Sequence, residues 1–368
     1  MRAALVHDWL NQRGGAEEVL ETLVEMYPDA PIYTSIYRPE LMPKGYRDWD
    51  IRTSFMDRVP LIKSHHRLFF FLYPLAFEGF ELADCELVIS NKSAFCHGVI
   101  TPPEALHICY CLTTTRFLWD YHVYIKRERI GRIARLALPP LVSLLRLWDY
   151  VAAQRVDHFV AISETVRRRI AKFYGRDSVV IHPPVDTSRY EPASSHDDYF
   201  LIVSRLIPYK RIDIAVRAFN RLGLPLVIVG DGRDRSSLEA MAKPNIRFLG
   251  RLPEEEVREV MARCRAFIFP GREDFGIAPV EAQAAGRPVI AYAAGGALDT
   301  VVEGVTGAFF HEQTPEALAR VVEEFDDTCY DPLAIRRNAE RFDKEVFKRR
   351  FRRFVEEKLA EHRRRIRR

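Results

Sequence analysis

Glu273 and Glu281 stand eight positions apart in EDFGIAPVE, a stretch otherwise apolar and glycine-bearing. The longer run AFIFPGREDFGIAPVEAQAAGRPVIAY reads as strand, loop, helix and strand, with Pro279 suited to the first helical turn and Gly286 to the helix end. Glu273 then lies on a loop at a strand's carboxyl end, and Glu281 about one turn into the helix. Between them the amides of Phe275, Gly276 and Ile277 open a helix N-terminus, where unpaired N–H groups and the dipole favour an anion. Taken singly, Glu281 reads as a first-turn acid complementing the dipole and Glu273 as a solvated loop charge. Together they offer one carboxylate for sugar hydroxyls, amides for phosphate and a second carboxylate for ribose hydroxyls.

A second stretch, SRLIPYKRID, also follows a strand and precedes a helix. Arg205 and Lys210 are thereby placed to hold a diphosphate through charge and hydrogen bonds, without a metal. The third is NQRGGAEEVLETL, where Gly14 and Gly15 follow the first strand and open a helix. Glycines let a backbone approach a phosphate, although a GG pair equally makes a tight turn. VGDGRD is not a GxGxxG fingerprint, and the chain has no P-loop pattern, zinc-ligand spacing or GxSxG.

The elements that position these residues alternate. From YFLIVS to PVIAY, short β-branched runs alternate with helical patterns, and the runs lack polar alternation, as strands covered on both faces do. RAALVH, APIYTSIY, ELVIS, HICYCL, HFVAIS and SVVIHPPV supply strands in the first half. The expected fold class is α/β, two Rossmann-like doubly wound domains facing a central cleft, with ligands beyond the strands' carboxyl ends. The Pro-, Ser- and Asp-rich segment His182 to Asp198 places the boundary, giving an N-terminal Rossmann-like domain over 1–190 and a C-terminal one over 191–343. From Lys344 on, Phe347, Phe351, Phe354, Val355 and Leu359 recur at helical spacing among basic residues, so 344–368 is expected to be an amphipathic helix packed on the body.

The 368 residues are 48% hydrophobic and 29% charged, which excludes a disordered chain. The longest apolar run, LFFFLYPLAF, is too short to cross a bilayer. MRAALVHDWL has neither an apolar core segment nor a cleavage site, so the expectation is a cytoplasmic protein. Six cysteines without CxxC pairing are expected as reduced thiols, with Cys109 and Cys111 on opposite faces of their strand. The net charge is only +4, but Asp120 to Arg176 holds twelve Lys or Arg against five acids. With IARLALPPLVSLLRLW inside that stretch and LFFFLYPLAF upstream, two readings stand: contact with anionic lipid at the inner face of the cell membrane, or core helices with solvated basic faces. Basic strands interleaved with aromatics and a reading helix are both missing, which speaks against nucleic acid.

GGAE near the start, SRLIPYKRID and EDFGIAPVEAQAAGRPVIAY, in that order, resemble the retaining glycosyltransferases of family 4, which have the GT-B fold. HDWL, RFLWDY and GGALDTVVEGVTGAFF resemble bacterial mannosyltransferases of O-antigen and exopolysaccharide assembly. The resemblance implies a metal-independent hexosyltransferase using GDP-mannose, or alternatively a UDP-sugar, and a saccharide or polyprenyl-linked acceptor. It implies that Glu273 contacts the donor sugar, that Glu281 holds the ribose, that Arg205 and Lys210 bind the diphosphate, and that the Gly14–Gly15 loop lies over the phosphates or sugar. Arg116, Trp119 and Asp120 of RFLWDY are candidates for the acceptor side. Many relatives carry a donor-touching histidine in a stretch like CHTPMRY; this chain reads CLTTTRF, with Leu112 in that place and His7, His97 and His122 as alternatives. Rival readings on the same fold are a nucleotide-sugar epimerase, a phosphorylase and a catalytically silent nucleotide-sugar-binding subunit.

Overall fold

The computed structural model describes residues 2–121, 132–193 and 195–366. The chain forms two compact units, 1–184 with 347–368, and 185–346. Each is a parallel-sheet, Rossmann-like α/β domain.

In the first unit β1 (Ala3–His7), β2 (Ile32–Thr34), β3 (Ile51–Thr53), β4 (Leu87–Lys92), β5 (Leu106–Cys111), β6 (His158–Ala161) and β7 (Ser178–Val180) build a parallel sheet in the order β3-β2-β1-β4-β5-β6-β7. Every residue of β4 and β5 is buried, the polar Ser90, Asn91, Lys92 and His107 included, and these four find hydrogen-bond partners inside the unit. The order reverses beside β1, so the carboxyl ends of β1 and β4 flank the crevice where such sheets bind ligands. Register places His7 against Asn91 there. The terminal helix Lys344–Ile366 buries Phe347, Phe351 and Val355, and the rings of Phe347 and Phe351 stand edge-on to Tyr110 of β5 at 5.5 and 5.8 Å. Its far end is fastened by His362 Nε2, 3.1 Å from the Glu104 carbonyl.

In the second unit β8 (Phe200–Val203), β9 (Leu226–Val229), β10 (Ile246–Gly250), β11 (Ala266–Phe269), β12 (Val289–Tyr292) and β13 (Gly307–Phe310) run parallel in the order β10-β9-β8-β11-β12-β13. Phe200, Ile202, Phe219, Ile228, Ile268 and Ile290 form the core beneath helix Ile212–Leu222. The crevice here lies at the ends of β8 and β11, the strands that precede SRLIPYKRID and PGREDFG.

Two expectations are corrected. The boundary falls at 184/185 rather than 190/191, and residues 344–346 group with the second unit. The reason is a short ladder: Val185 N–H donates to the Phe342 carbonyl at 3.0 Å and Lys344 N–H to the Val185 carbonyl at 2.9 Å, which ties the start of the segment to the end of the unit. Cys109 and Cys111 share a face, because residues two apart on a strand must, and their thiols interact directly. Both are buried free thiols.

Candidate functional site

The second unit brings Lys210 and Glu273 together. Lys210 closes a single turn after β8, Glu273 sits on the loop after β11, and their side chains form an ion pair, 15% and 17% exposed. Three local features aim them. Arg211 adopts φ 54°, a left-handed conformation rare for a side-chain-bearing residue, and so turns the chain sharply between Lys210 and the helix that follows. Its guanidinium is fixed by Asp213 at 3.0 Å and Gln313 at 3.3 Å, and Gln313 also donates to the Pro270 carbonyl at 3.0 Å. Gly271 lets the β11 loop lie against the Lys210 backbone: a Cβ there would stand 2.9 Å from the Lys210 carbonyl oxygen.

The loop after β12 clamps Glu273 from the other side. Gly296 N–H donates to the Glu273 carbonyl at 2.9 Å, and Gly295, at φ 70°, would place a Cβ 2.1 Å from that oxygen. Only glycine fits this approach. Gln313, Gly271, Gly295 and Gly296 are thus site-building residues that local sequence motifs do not single out. A signal was present in GGALD, but its target, a carbonyl on a different loop, is visible only in three dimensions.

Glu281 has partners of its own. Its half-buried carboxylate accepts a hydrogen bond from the Tyr190 hydroxyl, beside the Arg189–Glu254 ion pair. Burial pushes its pKa up, the negative Glu254 adds to this, and the Tyr190 bond and Arg189 oppose it; the net direction is upward. Phe275 is 3% exposed with its ring 5.5 Å from Phe342, so its side chain anchors the loop and only its backbone is available to a ligand. Gly276, at φ 94°, leads into helix Ile277–Ala284, with Pro279 in the first turn and Gly286 just past the end. Arg205 directly follows β8 and is exposed.

In the first unit, Gly14 and Gly15 open helix Gly15–Met26 beside a buried triad. The Asn91 amide nitrogen donates to the Ala16 carbonyl at 2.8 Å, which fixes its orientation, and lies 3.2 Å from His7 Nδ1. Nδ1 therefore accepts, leaving the proton on Nε2, which meets Glu17 Oε1 at 3.3 Å. His7 is 1% exposed and Glu17 is 3% exposed. Next in the chain, Asp8 accepts five hydrogen bonds from one loop: the amides of Ser93, Ala94, Phe95 and Cys96 at 2.6 to 2.8 Å, and Ser93 Oγ at 2.9 Å. A fully buried carboxylate is tolerated because the loop surrounds it with donors.

Of the histidines weighed against Leu112, His7 stands at the strand ends by Gly14, whereas His97 is fully buried between Trp148 and Tyr174 with Nε2 3.3 Å from the Asp149 carbonyl. His97 is a core residue. His122 lies outside the described residues. Leu112 directly follows β5, its N–H donating to the Lys92 carbonyl at 2.8 Å. Beyond it, the Trp119 indole donates to Asp149 at 2.7 Å and stacks on Phe173 at 4.8 Å, Asp120 lies 4.0 Å from Arg169, and Arg116 starts the short helix Arg116–Trp119. Trp119 is thus partly buried, with its indole N–H engaged by Asp149.

Asp326 and Asp327 build a turn: Asp326 accepts from Thr328, and Asp327 pairs with Arg265 and with His196. Among the described residues no cluster of three or more His, Cys, Asp or Glu side chains is arranged to hold a metal ion. Nor is any described helix long and apolar enough to cross a membrane.

Residues 13–189 match the family model described as Glycosyltransferase Family 4, and residues 186–342 match the one described as Glycosyl transferases group 1. The chain belongs to this family 4/group 1 set of GT-B glycosyltransferases. Among its relatives, a GDP-mannose-dependent monoacylated alpha-(1-6)-phosphatidylinositol monomannoside mannosyltransferase of Corynebacterium glutamicum is 32% identical over 48% of this chain and 54% of its own. D-rhamnosyltransferase WbpZ of Pseudomonas aeruginosa is 26% identical over 62% of each. The chain spans about half the length of the first of these relatives. In fold it is similar to Anabaena Alr3699/HepE, solved with UDP, at 18% identity, TM-score 0.72, covering 97% of this chain and 100% of that one. A sucrose-phosphate synthase from Thermosynechococcus elongatus gives 15% identity and TM-score 0.74 over 98% and 100%.

Proposed function

We propose that this protein is a retaining, metal-independent glycosyltransferase that moves a hexose, with mannose from GDP-mannose as the first choice, to a lipid-linked or saccharide acceptor in surface polysaccharide assembly. The observation that carries the reading is the Lys210–Glu273 pair at the ligand-binding crevice of the second unit. An ammonium has three N–H donors, so Lys210 retains capacity for phosphate oxygens while one donor faces Glu273. Breaking a sugar–diphosphate bond leaves an oxocarbenium-like sugar and a leaving group gaining negative charge. Lys210, Arg205 and the amides before Ile277 stabilise that charge, and Glu273 receives the sugar's hydroxyls. A phosphate oxygen of the departing diphosphate takes the acceptor proton, which retains configuration without a protein nucleophile. Glu281 holds the ribose.

The mannosyltransferase names of the relatives support GDP-mannose. A UDP-sugar donor is the second reading, favoured by the UDP and UDP-glucose complexes of the fold neighbour. The cytoplasmic side of a membrane is the proposed location. A thermal-shift and turnover screen of GDP-mannose against UDP-sugars, with and without a chelator, tests the proposal. Stabilisation and transfer with GDP-mannose in chelator support it; donor breakdown only with added divalent metal would overturn its metal-free part.

A further inference from the structure

Helix Arg132–Arg155 carries apolar residues on two sides. Val142, Leu145 and Ala152 point inward and are 3%, 4% and 0% exposed. Leu144, Leu147 and Val151, at i, i+3 and i+7, lie on the outer side at 62%, 61% and 46% exposure. A single exposed leucine needs no explanation, but a stripe along a helix does. The stripe has neighbours. Glu78 accepts from Trp148 Nε1 at 2.9 Å and from Arg155 at 2.8 Å, which sets helix Tyr73–Glu78 beside the long helix. One turn before Glu78, Leu75 is 62% exposed, and Leu68 and Phe71 just upstream are 69% and 43% exposed.

Charge identifies what covers this surface. Residues 58–77 contain no Asp or Glu and expose Arg58, while Lys63 is paired with Asp57 at 2.9 Å. The long helix has one acid, Asp149, which is fully buried and spent on Thr115, Trp119 and Tyr174. The next helix, Glu164–Tyr174, exposes Arg168 and Lys172. A second copy docking on this face would oppose positive charge to positive charge. A lipid surface carrying negative headgroups accepts both the leucines and the bases.

We propose that the outer face of helix Arg132–Arg155, with the apolar edge Leu68 to Leu75, docks on an anionic lipid surface. Leu144, Leu147 and Val151 enter the headgroup boundary and the surrounding bases hold the phosphates. The inference uses the proposed glycosyl transfer only to give the contact a purpose; binding itself needs no donor.

The test is flotation of the full chain with vesicles of equal parts phosphatidylglycerol and phosphatidylcholine, against phosphatidylcholine alone, at low salt. The expected result is co-flotation with the anionic vesicles, reduced at least about tenfold in Leu144→Glu with Leu147→Glu and by added salt, and unchanged in the exposed control Leu298→Glu. Solvent-facing positions are chosen so that the variants fold, which circular dichroism checks. Equal flotation of the double variant, or no flotation of the native chain, overturns the proposal. A concentration-dependent dimer in sedimentation velocity that the double variant abolishes, without vesicle binding, assigns the face to self-association and also overturns it. Vesicle binding by a protein that transfers no sugar would sink the reaction reading while leaving this one standing.

Discussion

Lys210 and Glu273, sixty-three residues apart in sequence, form an ion pair at the carboxyl ends of β8 and β11. The first consequence concerns turnover. Lys210→Ala should lower kcat by about two to three orders of magnitude, since loss of one preorganised donor to a developing anion costs about 2.7 to 4 kcal/mol. The melting temperature should also fall, because the variant leaves the largely buried Glu273 carboxylate without its cation, so kcat is compared well below the transition. Near-normal turnover in that variant rejects the role given to Lys210.

The loop clamp should matter as much as the charges. Gly295→Ala forces a Cβ into the Glu273 carbonyl oxygen, so the loop must shift and Glu273 with it. A fall in kcat of at least about tenfold is expected, because misplacement of a reacting geometry by about 1 Å can cost a hundredfold. Steady-state kinetics alongside circular dichroism separates this from unfolding.

Glu281→Gln should separate binding from chemistry. The raised carboxyl shows that the site disfavours its charge, so removing the charge should leave stability unchanged or slightly higher. With Glu281 in its proposed ribose-holding role, the substitution should raise the donor KM about tenfold, equivalent to about 1.4 kcal/mol, with kcat nearly unaffected. An equal fall in kcat at unchanged KM would place Glu281 in the transition state instead.

Asp8 is expected to be structural. Asp8→Ala leaves four loop amides and the Ser93 hydroxyl without their acceptor, and a buried unsatisfied group costs about 1–3 kcal/mol. A loss of at least about 3 kcal/mol in denaturant unfolding is predicted. A loss below about 1 kcal/mol would show that water replaces the carboxylate.

Acid should weaken the first unit through two buried histidines. Burial pushes His107 down to about 4, and burial together with the Lys92 ammonium holds His97 well below 6.5. Both imidazoles have an Nδ1 without a partner among the described residues, which suits a neutral ring. A histidine depressed in the folded state contributes its full stability above the unfolded value near 6.5 and loses it as pH falls, because the unfolded chain binds the proton first. Between about pH 6.5 and 4 His107 alone should account for roughly 3 kcal/mol. Lys92 has the opposite sign. Burial acts to lower it, but Tyr174 and Asp149 outweigh burial and hold it well above the usual lysine value, so its contribution persists below about pH 10.4 and is lost only in strong alkali. Urea midpoints at pH 7.5 and 5 check this; His107→Gln should flatten the slope, and an unchanged slope would contradict it.

The amino-acid order by itself determined the α/β class, nearly every strand of both sheets and the residues at the strand ends. Unbroken β-branched runs followed by loop and helix signals leave little else for a chain to do. Thus Lys210 and Glu273 could be named from local pattern alone. Tertiary structure decided which of the named residues meet. Lys210 pairs with Glu273, Glu281 accepts from Tyr190, Trp119 donates to Asp149, and His7 rather than His97 meets Glu17 of the helix that Gly14 precedes. It also decided the boundary, through the Val185 ladder to Phe342 and Lys344. The reason is range: propensity and periodicity act over a few neighbours, whereas a glycine such as Gly295 is required by a carbonyl more than twenty residues away, a contact that exists only once the strands are aligned.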